Sequence, residues 1–182
     1  MKRYTRVPGV RILSAPLYVH WSAFVIIALL LLHEIEEPLI AVVAVASYLG
    51  LILLHEAGHA YVAKRQRLRR HAIRLEAFHG VCEFEAPYYA KQDYLVAWGG
   101  VLAQLLVAVP VITLDAVFDL GQVDPLGPVV VIFGYVSVAI AAFNLIPAHG
   151  LDGEKAWQLF PLLLEERRER IFRPGRKRRS RS

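Results

Sequence analysis

The chain has 182 residues, of which 56% are hydrophobic, and 21 Lys and Arg outnumber 16 Asp and Glu to give a formal net charge of +5. So apolar a composition exceeds the soluble average and points to a one-domain polytopic membrane protein rather than a soluble fold. The positive charge collects at the two ends and in one central loop, a topological pattern rather than a nucleic-acid footprint, and the single cysteine, Cys82, excludes an intrachain disulfide.

Four apolar stretches follow one another along the chain: about Leu17 to Leu32, Pro38 to Ala63, Leu95 to Phe118 and Gly127 to Ile146. Each approaches the ~20 residues that a helix needs to cross a ~30 Å hydrocarbon core. No barrel-like alternation is present, so helices are the expected spanning form. Pro8, Gly9 and Arg11 precede the first stretch and no A-x-A-like site follows it, so no cleavable signal peptide is expected.

The connections alternate in charge. The N-terminus carries Lys2, Arg3, Arg6 and Arg11, and the first loop Glu34, Glu36 and Glu37. The second loop carries Lys64, Arg65, Arg67, Arg69, Arg70 and Arg74, and the third Asp119 and Asp124. The end of the chain carries Arg173, Arg176, Lys177, Arg178, Arg179 and Arg181. Four crossings with both termini cytoplasmic satisfy the positive-inside rule. Within the second loop, Ile73 and Leu75, then Val81 to Phe84, read as two short strands around His79-Gly80, a β-hairpin. Gly153 to Phe172 reads as an amphipathic surface helix, with Trp157, Phe160, Leu163 and Leu164 against Glu165, Glu166, Arg167 and Arg168. The expected organisation is one membrane-embedded domain over residues 1–172, all-α apart from the hairpin. Residues 173–182 are expected to be a basic, disordered tail that contacts anionic lipid, with no nucleic-acid partner expected.

Chemistry enters at the end of the second stretch. Leu39 to Leu54 carries no charge, and then His55, Glu56 and His59 arrive within five residues as His-Glu-Ala-Gly-His. Residues i and i+4 share a helix face, so His55 and His59 can grip one metal ion, with Glu56 beside them to handle the proton of an activated water. From Leu39 to His55 a helix rises about 24 Å, which places the motif in the cytoplasmic third of the bilayer. Ionisable groups at such depth are costly and mark function. Two histidines leave a catalytic zinc site one ligand short. Asp152 is the preferred third ligand, in Asn144-Leu145-Ile146-Pro147-Ala148-His149-Gly150-Leu151-Asp152-Gly153, because it follows a segment that returns to the cytoplasmic side and Pro147 and Gly150 break the helix there. His149 is the rival. His20 and His33 read as interfacial and His71 and His79 as loop histidines. Cys82 reads as a small buried or loop residue.

An apolar-embedded H-E-x-x-H followed some ninety residues on by Asn-x-x-Pro-x-x-x-x-Asp-Gly resembles the site-2 protease family of intramembrane zinc metalloproteases. Val19-His20-Trp21-Ser22 is similar to the start of that family's first core helix, and Ile73 to Phe84, with Phe78-His79-Gly80, to its β-hairpin region. The resemblance covers roughly residues 10–160, with no PDZ or CBS-like module. It implies Zn2+ held by His55, His59 and Asp152, water activated by Glu56, substrate or transition-state support from Asn144, and a transmembrane protein as substrate. The family's Gly-Pro-x-x-Asn pattern is altered here to Gly99-Gly100-Val101-Leu102-Ala103-Gln104. Proline is absent and Gln104 replaces asparagine in the wall of the cavity, which His149 could also line. Gly99-Gly100 reads equally well as a close helix contact. A metal transporter and a non-cutting binder of membrane partners are the competing functions. The first lacks a polar path through Leu39 to Ala46 and Val107 to Ile112, and the second has no need of Glu56.

Overall fold

The computed structural model describes residues 4–77 and 79–172; Phe78 and the basic tail 173–182 lie outside the described residues. Strands β1 (Tyr4–Ile12) and β2 (Ala15–His20) lead into helix α1 (Trp21–His33) and helix α2 (Pro38–Arg65). Strands β3 (Arg70–Leu75) and β4 (Gly80–Phe84) follow, then helix α3 (Ala90–Phe118). Helix α4 (Gly127–Asn144) contains a π-helical stretch, Val130–Val136. Two shorter helices, α5 (Gly153–Ala156) and α6 (Leu159–Phe172), close the described chain.

Three helices, α2, α3 and α4, are long and apolar enough to cross a membrane. Their outward faces carry exposed Leu39, Val42, Leu102, Leu106, Val109 and Phe143, which water would penalise and a bilayer would not. Pro38 opens α2, where its missing N–H costs nothing. Gln92 caps α3 by accepting from the N–H groups of Tyr88 (2.9 Å) and Tyr89 (3.2 Å). Helices α2 and α3 meet backbone to backbone: a Cβ added to Gly99 would lie 2.6 Å from the Gly58 carbonyl oxygen. Close helix packing is therefore one role of the Gly99-Gly100 pair.

Three expectations are corrected. The protein is not all-α outside one hairpin: a four-stranded sheet in the order β1-β2-β3-β4 packs on α2. The hairpin is its β3/β4 half, and β2 joins β3 in parallel, Leu17 opposite Ile73 and Val19 opposite Leu75. The first apolar stretch is also not one helix. Leu17 and Val19 belong to β2, a strand with neighbours on both edges, while Ala15, Leu17, Ile73 and Leu75 bury against Ile52 and Ala60 of α2. His20 ends the strand and starts the helix, its Nδ1 accepting from the Ser22 N–H at 3.3 Å. What remains for α1 is 13 residues. The amphipathic helix expected over Gly153 to Phe172 is interrupted at Trp157 and Gln158, because Pro161 has no N–H for a continuous ladder and is tolerated only in the first turn of a new helix.

Candidate metal centre and active site

Helix α2 carries His55, Glu56 and His59 on its inner face, two turns before its C-terminus. The loop between α4 and α5 brings Asp152 to them: its Oδ2 lies 3.1 Å from the Nε2 of His55 and 3.3 Å from the Nε2 of His59, and the two Nε2 atoms are 3.0 Å apart. Each outer nitrogen has its own partner. The Nδ1 of His55 faces Oε1 of Gln104 at 2.9 Å, and the Nδ1 of His59 donates to the Val96 carbonyl at 2.8 Å.

The trio could hold a metal ion. Two ligands about 2.0–2.1 Å from one tetrahedral zinc stand about 3.3 Å apart, close to the three separations here. Asp152 Oδ2 is buried without a properly directed hydrogen bond although two nitrogens are near it, as suits an oxygen aimed at a shared cation rather than at either ring. Small residues make the room. A Cβ on Gly100 would come within 2.6 Å of His55 Cε1 and His59 Nε2, so the second glycine of the pair is where α3 passes the histidines.

The trio opens into a cavity of about 620 Å³ between α2, α3, α4, the Asp152 loop and β4. Glu56, only 3% exposed, lies in its wall against Gly80 of β4, where an added Cβ would be 2.7 Å from the carboxyl carbon. Asn144 lines it too, its amide nitrogen donating to the Ile140 carbonyl of its own helix at 3.1 Å. Gln104, 1% exposed, is part of the wall. His149 is not: its side chain is 98% exposed and pairs with Glu154 at 3.3 Å, so it is neither a third ligand nor a wall residue. The positive φ of Gly150 turns the chain between the two, sending His149 out and Asp152 in.

Sequence reasoning missed several wall residues. His79, read as a loop histidine, lines the cavity, and Asp93 and Lys155 pair at 2.9 Å beside it. Neither element carried a motif, and only the fold joins them. Cys82 also faces the cavity. Burial, with the Glu56 carboxylate adding, pushes its thiol up to about 12.

Fold and site together define a membrane-spanning helical protein that carries a two-histidine, one-aspartate centre beside a buried glutamate. No protein-family description matches the chain, and no curated protein matches it by sequence. Among solved structures it is similar to the site-2 protease from Methanocaldococcus jannaschii, with a TM-score of 0.67 over 90% of this chain and 72% of that one, at 19% identity. The fold is therefore that of a site-2 protease, the same family that the sequence motifs resemble.

Proposed function

We propose that this protein is a zinc-dependent intramembrane endopeptidase that hydrolyses a peptide bond in a locally unwound transmembrane segment of another membrane protein. The observation that carries this reading is the convergence of His55, His59 and Asp152, from two distant parts of the chain, within 3.3 Å of one another beside Glu56. A zinc ion held by these three residues would supply electrophilic activation of a water and of the peptide carbonyl. Glu56 accepts the proton as the water oxygen bonds to the carbonyl carbon, then returns it to the nitrogen as the C–N bond breaks, leaving a carboxylate and an amine. Asn144, which also lines the cavity, would support the substrate.

A membrane helix hides its carbonyls in its own hydrogen bonds, so it must unwind before it is cut. Strand β4 is the open edge of the sheet and lines the cavity, which suits main-chain pairing with an extended segment. The same reading assigns residues 1–172 to one protease domain in the cell's inner membrane, with both termini cytoplasmic and the tail on anionic lipid.

The test is metal analysis of the purified protein together with cleavage of a panel of transmembrane segments. Glu56→Gln is expected to keep stoichiometric zinc and to lose about 10²–10⁴-fold in turnover, the usual worth of a general base. Equal cleavage by the variant, or no zinc in the wild type, overturns the proposal.

A further inference from the structure

We infer that Gln104 is the positioning residue for His55, fixing the imidazole tautomer in which Nε2 is free to bind the metal; the inference rests on the metal centre proposed above. The two histidines are oriented by different means. His59 faces a main-chain carbonyl, that of Val96, at 2.8 Å. A carbonyl only accepts, so Nδ1 of His59 carries the proton and its Nε2 presents a lone pair whatever the side chains around it do.

His55 has no such guarantee. Its Nδ1 faces a carboxamide, and a carboxamide has two unlike ends. With the amide oxygen toward the ring, Nδ1–H donates and Nε2 is a ligand. With the amide nitrogen toward the ring, Nδ1 must accept, the proton moves to Nε2, and His55 is lost to the metal. The oxygen stands at Nδ1, 2.9 Å away.

The other end of the amide shows what this arrangement is for. Gln104 is buried to 1% exposure, and among the described residues its Nε2 has no hydrogen-bond partner. A glutamine retained as polar glue between membrane helices would have both ends satisfied. Among the described residues only the end on His55 is used. Outer partners of this kind set ring orientation and ligand basicity, and their loss weakens metal binding by about 10–100-fold.

The experiment compares wild type, Gln104→Glu and Gln104→Leu, purified in detergent. Three quantities are read: zinc affinity by competition with a chromophoric chelator, the visible spectrum of the Co2+-loaded protein, and the melting temperature of the metal-free protein. Glutamate keeps an acceptor at Nδ1, so that variant is expected to bind zinc at least as tightly as wild type with a wild-type-like Co2+ spectrum. Leucine keeps the bulk without the acceptor. It is expected to bind about 10–100-fold more weakly and to shift the Co2+ bands while the metal-free melting temperature holds, which a merely structural role would not produce. Wild-type zinc affinity in Gln104→Leu overturns the inference, as does a melting temperature that falls in step with affinity; in either case the wild type still binds zinc and the endopeptidase reading stands. A wild type that binds neither metal overturns that reading first and this one with it.

Discussion

Glycine 100 has little freedom to change. On α3 it passes so near the two imidazoles that a methyl group there would have to push them. Overpacking of this kind costs about 1–3 kcal/mol. Gly100→Ala is therefore expected to weaken zinc binding about tenfold or more while the apolar helices still assemble, checked by metal titration alongside circular dichroism. The contrast between Asp152 and His149 also turns on one glycine. Two potential ligands three residues apart on either side of a glycine cannot both face inward when that glycine turns the chain. Which of them does so depends on the turn's hand, and only the positive φ of Gly150 decides it.

At the scale of elements, strand β4 makes the most specific statement. The Glu76 N–H donates to the His79 carbonyl at 2.9 Å, which makes these two a hydrogen-bonded pair. Antiparallel pairs alternate, so Arg74 opposite Val81 is bonded as well, and the main-chain groups of Gly80 and Cys82 point to the open edge. A proline at Cys82 removes an outward N–H without taking a bond from β3. Cys82→Pro is expected to lower cleavage at least tenfold with zinc content unchanged. Val81→Pro, which breaks the β3 ladder, is expected to lower thermal stability as well. Cleavage by Cys82→Pro at the wild-type rate would show that substrate does not pair there.

The long helices and the β3/β4 hairpin were legible in the sequence because their signals are local: uninterrupted apolar runs in α2 and α3, and short β-branched and aromatic runs around His79-Gly80. The β1/β2 half of the sheet was not. Strand β2 is covered by β1, β3 and α2, so Pro16, Leu17, Tyr18 and Val19 run apolar straight into α1 with nothing in their periodicity to mark the junction. Strand β1 carries Arg6, Pro8, Gly9 and Arg11, and its register shifts between Arg6 and Arg11. It thus has the composition of a loop and is held by pairing that no short window of sequence contains. The three residues that could hold a metal ion were readable from spacing and chain order. Their orienting partners were not, because Val96 contributes only its backbone and Gln104 reaches His55 across two helices.

For the molecule as a whole, the sheet and the Asp152 loop sit at one end of the helices, held there by side chains that cross between segments. Trp98 donates to the Ala156 carbonyl at 2.8 Å and Trp157 to that of Leu145 at 2.6 Å, while Trp98 packs edge to face with both Trp157 and Phe160. This aromatic knot fastens the Asp152 loop to α3. Trp157→Phe removes one donor, leaves the Leu145 carbonyl unpaired, and is expected to cost about 1 kcal/mol, read as lower zinc affinity together with a lower melting temperature.

The first helix adds a property that none of the site residues reveals. Its 13 residues rise about 20 Å, some 10 Å less than the hydrocarbon of an ordinary bilayer. Lipids beside a short apolar wall compress to meet it, each ångström of mismatch costing a fraction of a kcal/mol. The membrane next to α1 is expected to dip, shortening the route by which water and an incoming segment reach the histidines. Turnover in vesicles should accordingly rise as acyl chains are shortened from twenty carbons to fourteen, at constant zinc loading; a rate indifferent to chain length would show that the dip has no part in access.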